Sequence, residues 1–146
     1  MENMNKDLKR RIFDFLSSNK VAVIATIDTD KNSPESAVVG FAQTEDLEII
    51  FGTANTTRKY KNLLNNQKVS FVVGFTSEGG TLQYEGIAAE IGPDELEKYT
   101  ALLIEKNPYH KNFVKDSNQK YFLVKPTWIR FLDMSANPPQ TQEITL

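Results

Sequence analysis

The sequence predicts a mainly β fold, a small β-barrel of about six antiparallel strands with peripheral helices. Short apolar runs rich in valine, isoleucine and phenylalanine recur along the chain, and polar turn sequences separate them. The first runs are joined by turns too short to hold a helix, which favours an antiparallel meander over alternating parallel strands and helices. Two substantial helices and one or two short ones accompany the strands, and a barrel with peripheral helices is their natural closure.

The first half of the chain begins with a predicted amphipathic helix from Met4 to Ser18. Its apolar residues recur at steps of three and four and form one stripe, which consists of Leu8, Ile12, Phe15 and Leu16. Three strands are predicted after it, over Lys20–Thr29, Pro34–Gln43 and Leu47–Gly52. Polar residues between these strands form the two turns that connect them.

The middle of the chain is predicted to hold a short helix and a β-hairpin. The helix covers Thr56–Asn66, and the strands of the hairpin cover Val69–Phe75 and Thr81–Ile91. A turn sequence, Ser-Glu-Gly-Gly at residues 77–80, joins the two strands. Gly86 in the second strand marks a bulge or a point of close backbone approach.

The last third is predicted to contain the second substantial helix, one more strand region and a tail. The helix starts at Pro93, because proline is tolerated in the first turn. The strand region covers Tyr121–Met134 and is expected to be interrupted near Pro126, since proline cannot donate a hydrogen bond to a neighbouring strand. Residues 135–146 are expected to be an irregular C-terminal tail, and residues 1–146 to form a single domain.

The composition excludes several classes of function. The length of 146 residues suits one domain, since domains commonly hold roughly 100–200 residues. Without cysteine, and with a single histidine, the chain has no thiolate or multi-histidine metal site and no cysteine nucleophile. The net charge of −2 argues against a dedicated nucleic-acid binder. No apolar run reaches the roughly 20 residues that span a membrane, and no export signal is apparent, so a cytoplasmic protein is expected.

The start of the short helix is the segment most informative about function. Thr56 or Thr57 can cap it, and Arg58 and Lys59 then place two cations at the positive end of the helix dipole. This arrangement is unfavourable unless an anion lies there, and the hydroxyl groups of Thr53, Thr56 and Thr57 would help to bind a phosphate. The alternative is a threonine-capped surface helix with solvated basic residues, and the residues by themselves leave both interpretations open.

The segment FGTANTTRKYKNLLNNQKVSFVV resembles the FMN-phosphate segment of the pyridoxamine 5′-phosphate oxidase-like family, the FMN-binding split barrels. The residues that fit the family pattern are Phe51, Thr53, Thr57, Arg58, Lys59, Asn62, Leu63, Val69 and Ser70. Further matches are the strand VAVIATID, the proline-led strand PESAVVGF, Gly86 and the segment PTWIRF. This ordered set extends over most of the chain, and the short tail resembles that of the small general-stress-protein-like members.

The resemblance implies an FMN-binding split barrel and assigns the phosphate to the start of the short helix. Arg58 and Lys59 would clamp the FMN phosphate, with Thr53 helping to hold it and Thr57 beside it. Members of the family are usually homodimers with FMN at the subunit interface. A homodimer is therefore expected here.

The resemblance also assigns residues to the isoalloxazine ring. A segment of the second strand would border the ring, partly through backbone groups, and it consists of Ser36, Ala37, Val38 and Val39. Either Gln83 or Thr81, which precede Gly86, would reach the flavin, and these two alternatives stay open. Trp128, near the end of the last strand, is a further candidate.

Two departures separate this chain from the true pyridoxamine-phosphate oxidases. Those enzymes carry an arginine at about the position of Ala37, and they end with an Arg-Leu-His-containing substrate motif that this sequence lacks. The sole histidine, His110, falls in a helical segment instead. Oxidation of vitamin B6 is therefore not expected.

The expected function is that of an FMN-binding flavoprotein, an oxidoreductase whose flavin carries the chemistry with an unidentified electron donor or acceptor. No residue is assigned as catalytic. The alternative is a non-catalytic or stress-related binding module for FMN or for another ligand, such as the deazaflavin F420, haem or pyridoxal phosphate. A third class is a β-barrel interaction protein without a small ligand. Nucleic acid, membranes and metal ions are not expected partners.

Overall fold

A computed structural model describes residues 5–76 and 78–146 and confirms the mainly β fold class. Its eight described strands form one antiparallel sheet that curls into a half-barrel, with three helices on the outside. Met4, the first residue of the predicted N-terminal helix, and Ser77, in the predicted hairpin turn, lie outside the described residues. None of the helices among the described residues is both long enough and apolar enough to cross a membrane.

The strands and helices follow one another in an order close to the predicted one. The strands are β1 Val21–Asp28, β2 Ser33–Gly40, β3 Ala42–Gln43, β4 Ile49–Ala54, β5 Lys68–Val73, β6 Thr81–Glu90, β7 Gln119–Asp133 and β8 Gln140–Thr145. The helices are α1 Lys6–Ser17, α2 Arg58–Asn65 and α3 Pro93–Lys106, and a 3₁₀ turn follows at Pro108–Asn112.

The sheet has the order β2-β1-β5-β6-β7-β4-β3, and every described pairing is antiparallel. The long strand β7 organises one side of it. Along one edge β7 pairs with β6, and along the other it pairs first with β4 and then with β8. The antiparallel pairing predicted from the short turns is therefore confirmed, but the whole sheet is not a simple meander, because β1 pairs with β5 and β4 pairs with β7.

The inner face of the curled sheet carries the core. In β1 the residues Ala22, Ile24 and Thr26 are buried, while the residues between them are half-buried or exposed, as expected for a strand with one covered face. Aromatic rings fill the centre, where Phe51 stacks on Phe122 with ring centroids 5.4 Å apart. Helix α1 covers the core with the buried members of its predicted apolar stripe, Leu8, Ile12 and Leu16.

Two predicted strands have different bounds in the structure. The predicted strand Pro34–Gln43 is divided at Phe41, whose N–H donates to the carbonyl oxygen of Lys20 at 3.2 Å before β3 turns to pair with β4. The predicted interruption at Pro126 is wrong, because β7 continues through it. The pairing of β6 and β7 shifts there by one residue, so that Gly86 lies opposite Pro126 and the bulge, with Thr127 as its extra residue, lies next to the proline.

The prediction of an irregular tail over residues 135–146 is wrong for its second half. Residues 140–145 form β8, which pairs with β7 from Trp128↔Thr145 to Asp133↔Gln140. The tail sequence looks irregular because an edge strand with an exposed face needs few apolar residues. Ile144, the one strongly apolar residue within β8, packs against the core.

Lys106, at the end of α3, joins three parts of the fold. Its Nζ donates to the carbonyl oxygen of Leu16 at 2.9 Å and to Oε1 of Gln43 at 2.7 Å. The same nitrogen lies 3.7 Å from the centroid of the Phe41 ring. Burial lowers the pKa of Lys106 to about 7 from its ordinary value of 10.5.

This lowered pKa predicts a stability that rises with pH. Between pH 7 and pH 10.5 the unfolded chain binds a proton at Lys106 that the folded chain does not, so the free energy of unfolding increases as the pH rises. We expect Lys106→Met to lose this contribution. Urea denaturation at pH 7.5 and 9.5 checks it: the difference in unfolding free energy between wild type and variant should grow in favour of wild type. A difference that does not change with pH would contradict the prediction.

Candidate functional site

The start of α2 borders a small pocket against β1 and β2, called here the α2 pocket. Its volume is about 180 Å³, and its lining residues are Ile24, Thr26, Glu35, Ser36, Ala37, Thr57, Arg58 and Lys59. Five of the residues assigned to a cofactor from the sequence therefore lie around one cavity: Ser36, Ala37, Thr57, Arg58 and Lys59. The pairing of β1 with β2 places the first two beside the helix start.

Helix α2 starts at Arg58 because Thr57 caps it. Thr57 has an extended backbone, and its Oγ1 accepts a hydrogen bond from the N–H of Tyr60 at 3.3 Å. Thr53 lies behind this cap: its side chain is buried, and its Oγ1 is 2.7 Å from Oγ1 of Thr57. Thr53 does not line the pocket, so its contact with the site runs through Thr57.

The α2 pocket is electrostatically suited to an anion. The first turn of α2 contains no acidic residue, and Arg58 and Lys59 add positive charge to the exposed N–H groups of the helix start. Burial lowers the pKa of Lys59. None of the ion pairs among the described residues includes Lys59, so an anion in the pocket would give this half-buried cation a partner.

Glu35 and Asn62 complete the site, although neither is predicted from the sequence to belong to it. Oε2 of Glu35 accepts from Nη1 of Arg58 at 2.8 Å, and its Oε1 accepts from Nδ2 of Asn62 at 2.9 Å. The strand period could have indicated Glu35, because positions 35, 37 and 39 share one face and Val39 is buried. Asn62 is buried inside a helix, where a polar residue needs a partner.

The remaining predicted residues lie away from the α2 pocket. Val38 points to the outer face of the sheet and is 64% exposed, whereas the side chain of Val39 is in the core. Gln83 is exposed on β6, and β1 and β5 lie between that strand and β2. Trp128 is one strand further, on β7, where its Nε1 donates to Oε1 of Glu143 at 2.9 Å. Thr81, the alternative to Gln83, is also on β6.

A larger groove, called here the outer groove, lies on the outer face of β1, β5 and β6. Its volume is about 550 Å³, and it is lined by Ala25, Thr26, Ile27, Pro34, Lys68, Val69, Ser70, Glu85, Gly86, Ile87 and Thr127. Thr26 lines both cavities, so the outer groove adjoins the α2 pocket. The face around the groove exposes three large apolar side chains, those of Val38, Val72 and Ile87.

Two solved structures show which fold this arrangement belongs to. A haem-binding protein from Mycobacterium smegmatis superposes with a TM-score of 0.81 at 14% identity, over 97% of this chain and 59% of that one. General stress protein 26 from Bacillus anthracis str. Sterne superposes with a TM-score of 0.72 at 19% identity, over 94% of this chain and 98% of that one. At such identities the likeness shows the fold alone.

A relative is also found at the level of sequence. General stress protein 26 of Bacillus subtilis (strain 168) is 29% identical over 85 residues, which are 58% of this chain and 59% of that protein. The match thus spans less than two thirds of the relative's length. It agrees with the resemblance to the small general-stress-protein-like members.

A family model covers more of the chain than this relative does. The model described as pyridoxamine 5′-phosphate oxidase matches residues 8–133. The matched span includes seven of the eight described strands and every residue that lines the α2 pocket. The chain therefore belongs to the pyridoxamine 5′-phosphate oxidase family.

Proposed function

We propose that this protein is an FMN-binding flavoprotein that holds the FMN phosphate in the α2 pocket. The observation that carries the proposal is the collection of Thr57, Arg58 and Lys59 with Ser36 and Ala37 around one cavity at a helix N-terminus. Lys59 has no carboxylate partner among the described residues, and a bound phosphate would supply an anionic partner. The donors of this pocket fit a phosphate group, because hydroxyls, cations and unpaired N–H groups converge there.

The ring system of FMN would extend from the α2 pocket into the outer groove. Thr26 lines both cavities, and the groove offers apolar side chains such as Ile27 and Ile87 for a flat ring. When bound, the flavin supplies hydride or electron transfer. The chain's own part is then to bind the phosphate and to shield one side of the ring, and no side chain is proposed as an acid, base or nucleophile.

A homodimer is part of this proposal. Gln83 and Trp128 lie three and four strands from β2, which lines the α2 pocket, so these residues of a second copy could meet a group bound in that pocket. The outer face that would meet this copy exposes Val38, Val72 and Ile87, which are poor candidates for permanent contact with water. Equilibrium sedimentation should therefore find a dimer.

Oxidation of pyridoxamine phosphate is not part of the proposal, although the family carries the name of that enzyme. Ala37 lines the α2 pocket and has no cation to offer at the position where those oxidases have an arginine. The sole histidine, His110, packs against Gly40 and not in the α2 pocket or the outer groove. An oxidoreductase with a different substrate is therefore the function we infer.

A non-catalytic binding protein is the second candidate function. The likeness of fold to a haem-binding protein from Mycobacterium smegmatis favours it, since the same kind of scaffold can hold a different ligand. Haem, the deazaflavin F420 and pyridoxal phosphate are the ligands to test beside FMN. Each carries an anionic group that could enter the α2 pocket.

Titration with FMN followed by visible absorption and flavin fluorescence tests the proposal. We expect FMN to bind at least about 100-fold more tightly than riboflavin, because only FMN carries the phosphate that Arg58 and Lys59 would bind. Parallel titrations with haem, F420 and pyridoxal phosphate distinguish the alternative ligands. Reduction of bound FMN by NADH or NADPH and reoxidation by an added acceptor separate an oxidoreductase from a binding protein. Equal affinities for FMN and riboflavin would contradict the proposed phosphate site.

A further inference from the structure

A carboxylate lies inside the pocket that we propose for a phosphate. The side chain of Glu35 is only 9% exposed, and it lines the α2 pocket together with Arg58 and Lys59. Its two oxygens accept hydrogen bonds from Arg58 and Asn62, at 2.8 Å and 2.9 Å. A negative charge in an anion site is unexpected, because like charges repel one another more strongly where water is excluded.

The structure holds Glu35 in place. Glu35 on β2 lies directly opposite Thr26 on β1, and the buried amide of Asn62 donates both to Thr26 Oγ1, at 3.0 Å, and to Glu35 Oε1. Moving the carboxylate out of the pocket would leave this buried amide without one of its partners. Glu35 is therefore a fixed part of the site.

Arg58, in contrast, is free to serve an incoming anion as well. Its side chain is 69% exposed, and the hydrogen bond to Glu35 uses only Nη1. The guanidinium has further donors on Nε and Nη2. A ligand can therefore be bound by Arg58 while Glu35 stays where it is, with its negative charge beside the ligand.

The charged side chains that line the α2 pocket then sum to one positive charge. Arg58 and Lys59 contribute two positive charges, and Glu35 contributes one negative charge. A singly charged anion neutralises this set, whereas a doubly charged phosphate leaves one negative charge in excess next to a fixed carboxylate. The negative charge of Glu35 thus reduces the gain in binding affinity that a second negative charge on the ligand would otherwise give.

We propose that Glu35 makes the α2 pocket select singly charged anionic groups, such as a phosphodiester or a carboxylate, over the doubly charged phosphate of a monoester. This inference rests on the proposed function, since it concerns the same pocket. It makes Glu35 a specificity-determining residue for the charge of the ligand. FMN still binds, but its second negative charge adds no affinity.

Two flavins that differ in one charge test this inference. They are FMN and its methyl phosphodiester, measured at pH 8.5, where the phosphate of FMN is doubly charged because its second pKa is about 6. Wild type should bind the diester at least as tightly as FMN. In Glu35→Gln, which keeps an oxygen for Asn62, FMN affinity should rise at least tenfold and diester affinity less than threefold. A wild-type protein that prefers FMN tenfold would overturn the inference, whether or not the variant folds.

The same variant also separates charge selection from a positioning role. If Glu35 served mainly to orient Arg58, Glu35→Gln would weaken both flavins together, and the inference would be wrong. A pair of probes without flavin distinguishes failure of the proposed function. Methyl phosphate and dimethyl phosphate, compared at equal ionic strength, should shift the Tm of wild type in favour of the diester and that of Glu35→Gln in favour of the monoester. If this reversal of the Tm preference is found but no flavin binds, the proposed function is wrong and the inference stands. If Glu35→Gln shows the same Tm preference as wild type, the inference is wrong.

Discussion

Replacing both Arg58 and Lys59 by alanine is expected to abolish the retention of FMN. Each charge-assisted hydrogen bond contributes about 1.5–3 kcal/mol, so the loss of two such contacts lowers the affinity by roughly 100-fold to 10,000-fold. Riboflavin lacks the phosphate, and its weaker binding should hardly change. Fluorescence titration with both flavins measures the two effects, and gel filtration of the FMN-loaded protein shows whether the flavin stays bound.

The fold of this double variant is expected to remain intact. Arg58 is largely exposed, and removing Lys59 removes a cation whose pKa burial already lowers. Thr57 still caps α2 through Tyr60, and Asn62 still binds Glu35. We expect the free energy of unfolding to fall by no more than about 2 kcal/mol, because Glu35 loses one hydrogen-bond partner. Far-UV circular dichroism and urea denaturation check this expectation.

Lys61 provides a matched control on the same helix. Its side chain is 69% exposed, like that of Arg58, but it pairs with Asp30 at 3.4 Å and does not line the α2 pocket. Lys61→Ala should leave FMN affinity unchanged within about twofold, since surface ion pairs contribute little. If the double variant binds FMN as tightly as wild type, or if Lys61→Ala weakens FMN as much as the double variant does, the phosphate does not occupy this pocket.

The part of the site that the sequence predicted is the part built by a continuous segment. Thr57 as the cap and Arg58 and Lys59 in the first turn follow from neighbouring residues, because helix capping is a local interaction. Ser36 and Ala37 join them through the pairing of β1 with β2, which the short turn between the two strands already indicates. The resemblance to the family, and not the strand order, assigned Ser36 and Ala37 to the cofactor, and it assigned them to the isoalloxazine ring.

The part of the site that could not be predicted from the sequence depends on residues that are distant along the chain. Glu35 meets Arg58 and Asn62 across 23 and 27 positions of the chain, so the strand period, which places Glu35 on the face of Val39, does not show which side chains it meets. A glutamate in a predicted strand is most simply interpreted as a solvent-exposed residue. Its burial is explained by its two partners on α2, the amide of Asn62 and the guanidinium of Arg58.

The errors at Pro126 and in the C-terminal tail have a common physical cause. In both places a neighbouring strand compensates for residues with a poor intrinsic preference for strand structure. Pro126 stays within β7 because the opposing strand has a glycine at the bulge, and β8 forms because β7 offers it an edge beyond the end of β4. Whether a strand tolerates proline, or a polar tail becomes a strand, is decided by the neighbouring strand. Gly86 is the residue through which this can be tested.

Gly86→Ala is expected to destabilise the protein by about 2–3 kcal/mol or more, the effect of forcing extra volume into a tightly packed site. A Cβ at this position would lie 2.6 Å from the carbonyl oxygen of Lys125 and 2.7 Å from Cγ1 of Val124. Neither neighbour can move away without a loss of stability. The first is backbone of β7 beside the bulge at Pro126, and the second belongs to the buried core.

Gly92→Ala is the matched control, because a Cβ there has no atom within 4 Å. It should cost at most about 1 kcal/mol, the usual loss when alanine occupies a helix N-cap. Urea denaturation of both variants measures the difference.

Gly86 also lines the outer groove. The folded fraction of the Gly86→Ala protein should therefore bind riboflavin and FMN more weakly, and by the same factor. A Gly86→Ala protein as stable as Gly92→Ala would mean that the bulge can open without cost, and that β6 and β7 do not need glycine where they cross Pro126.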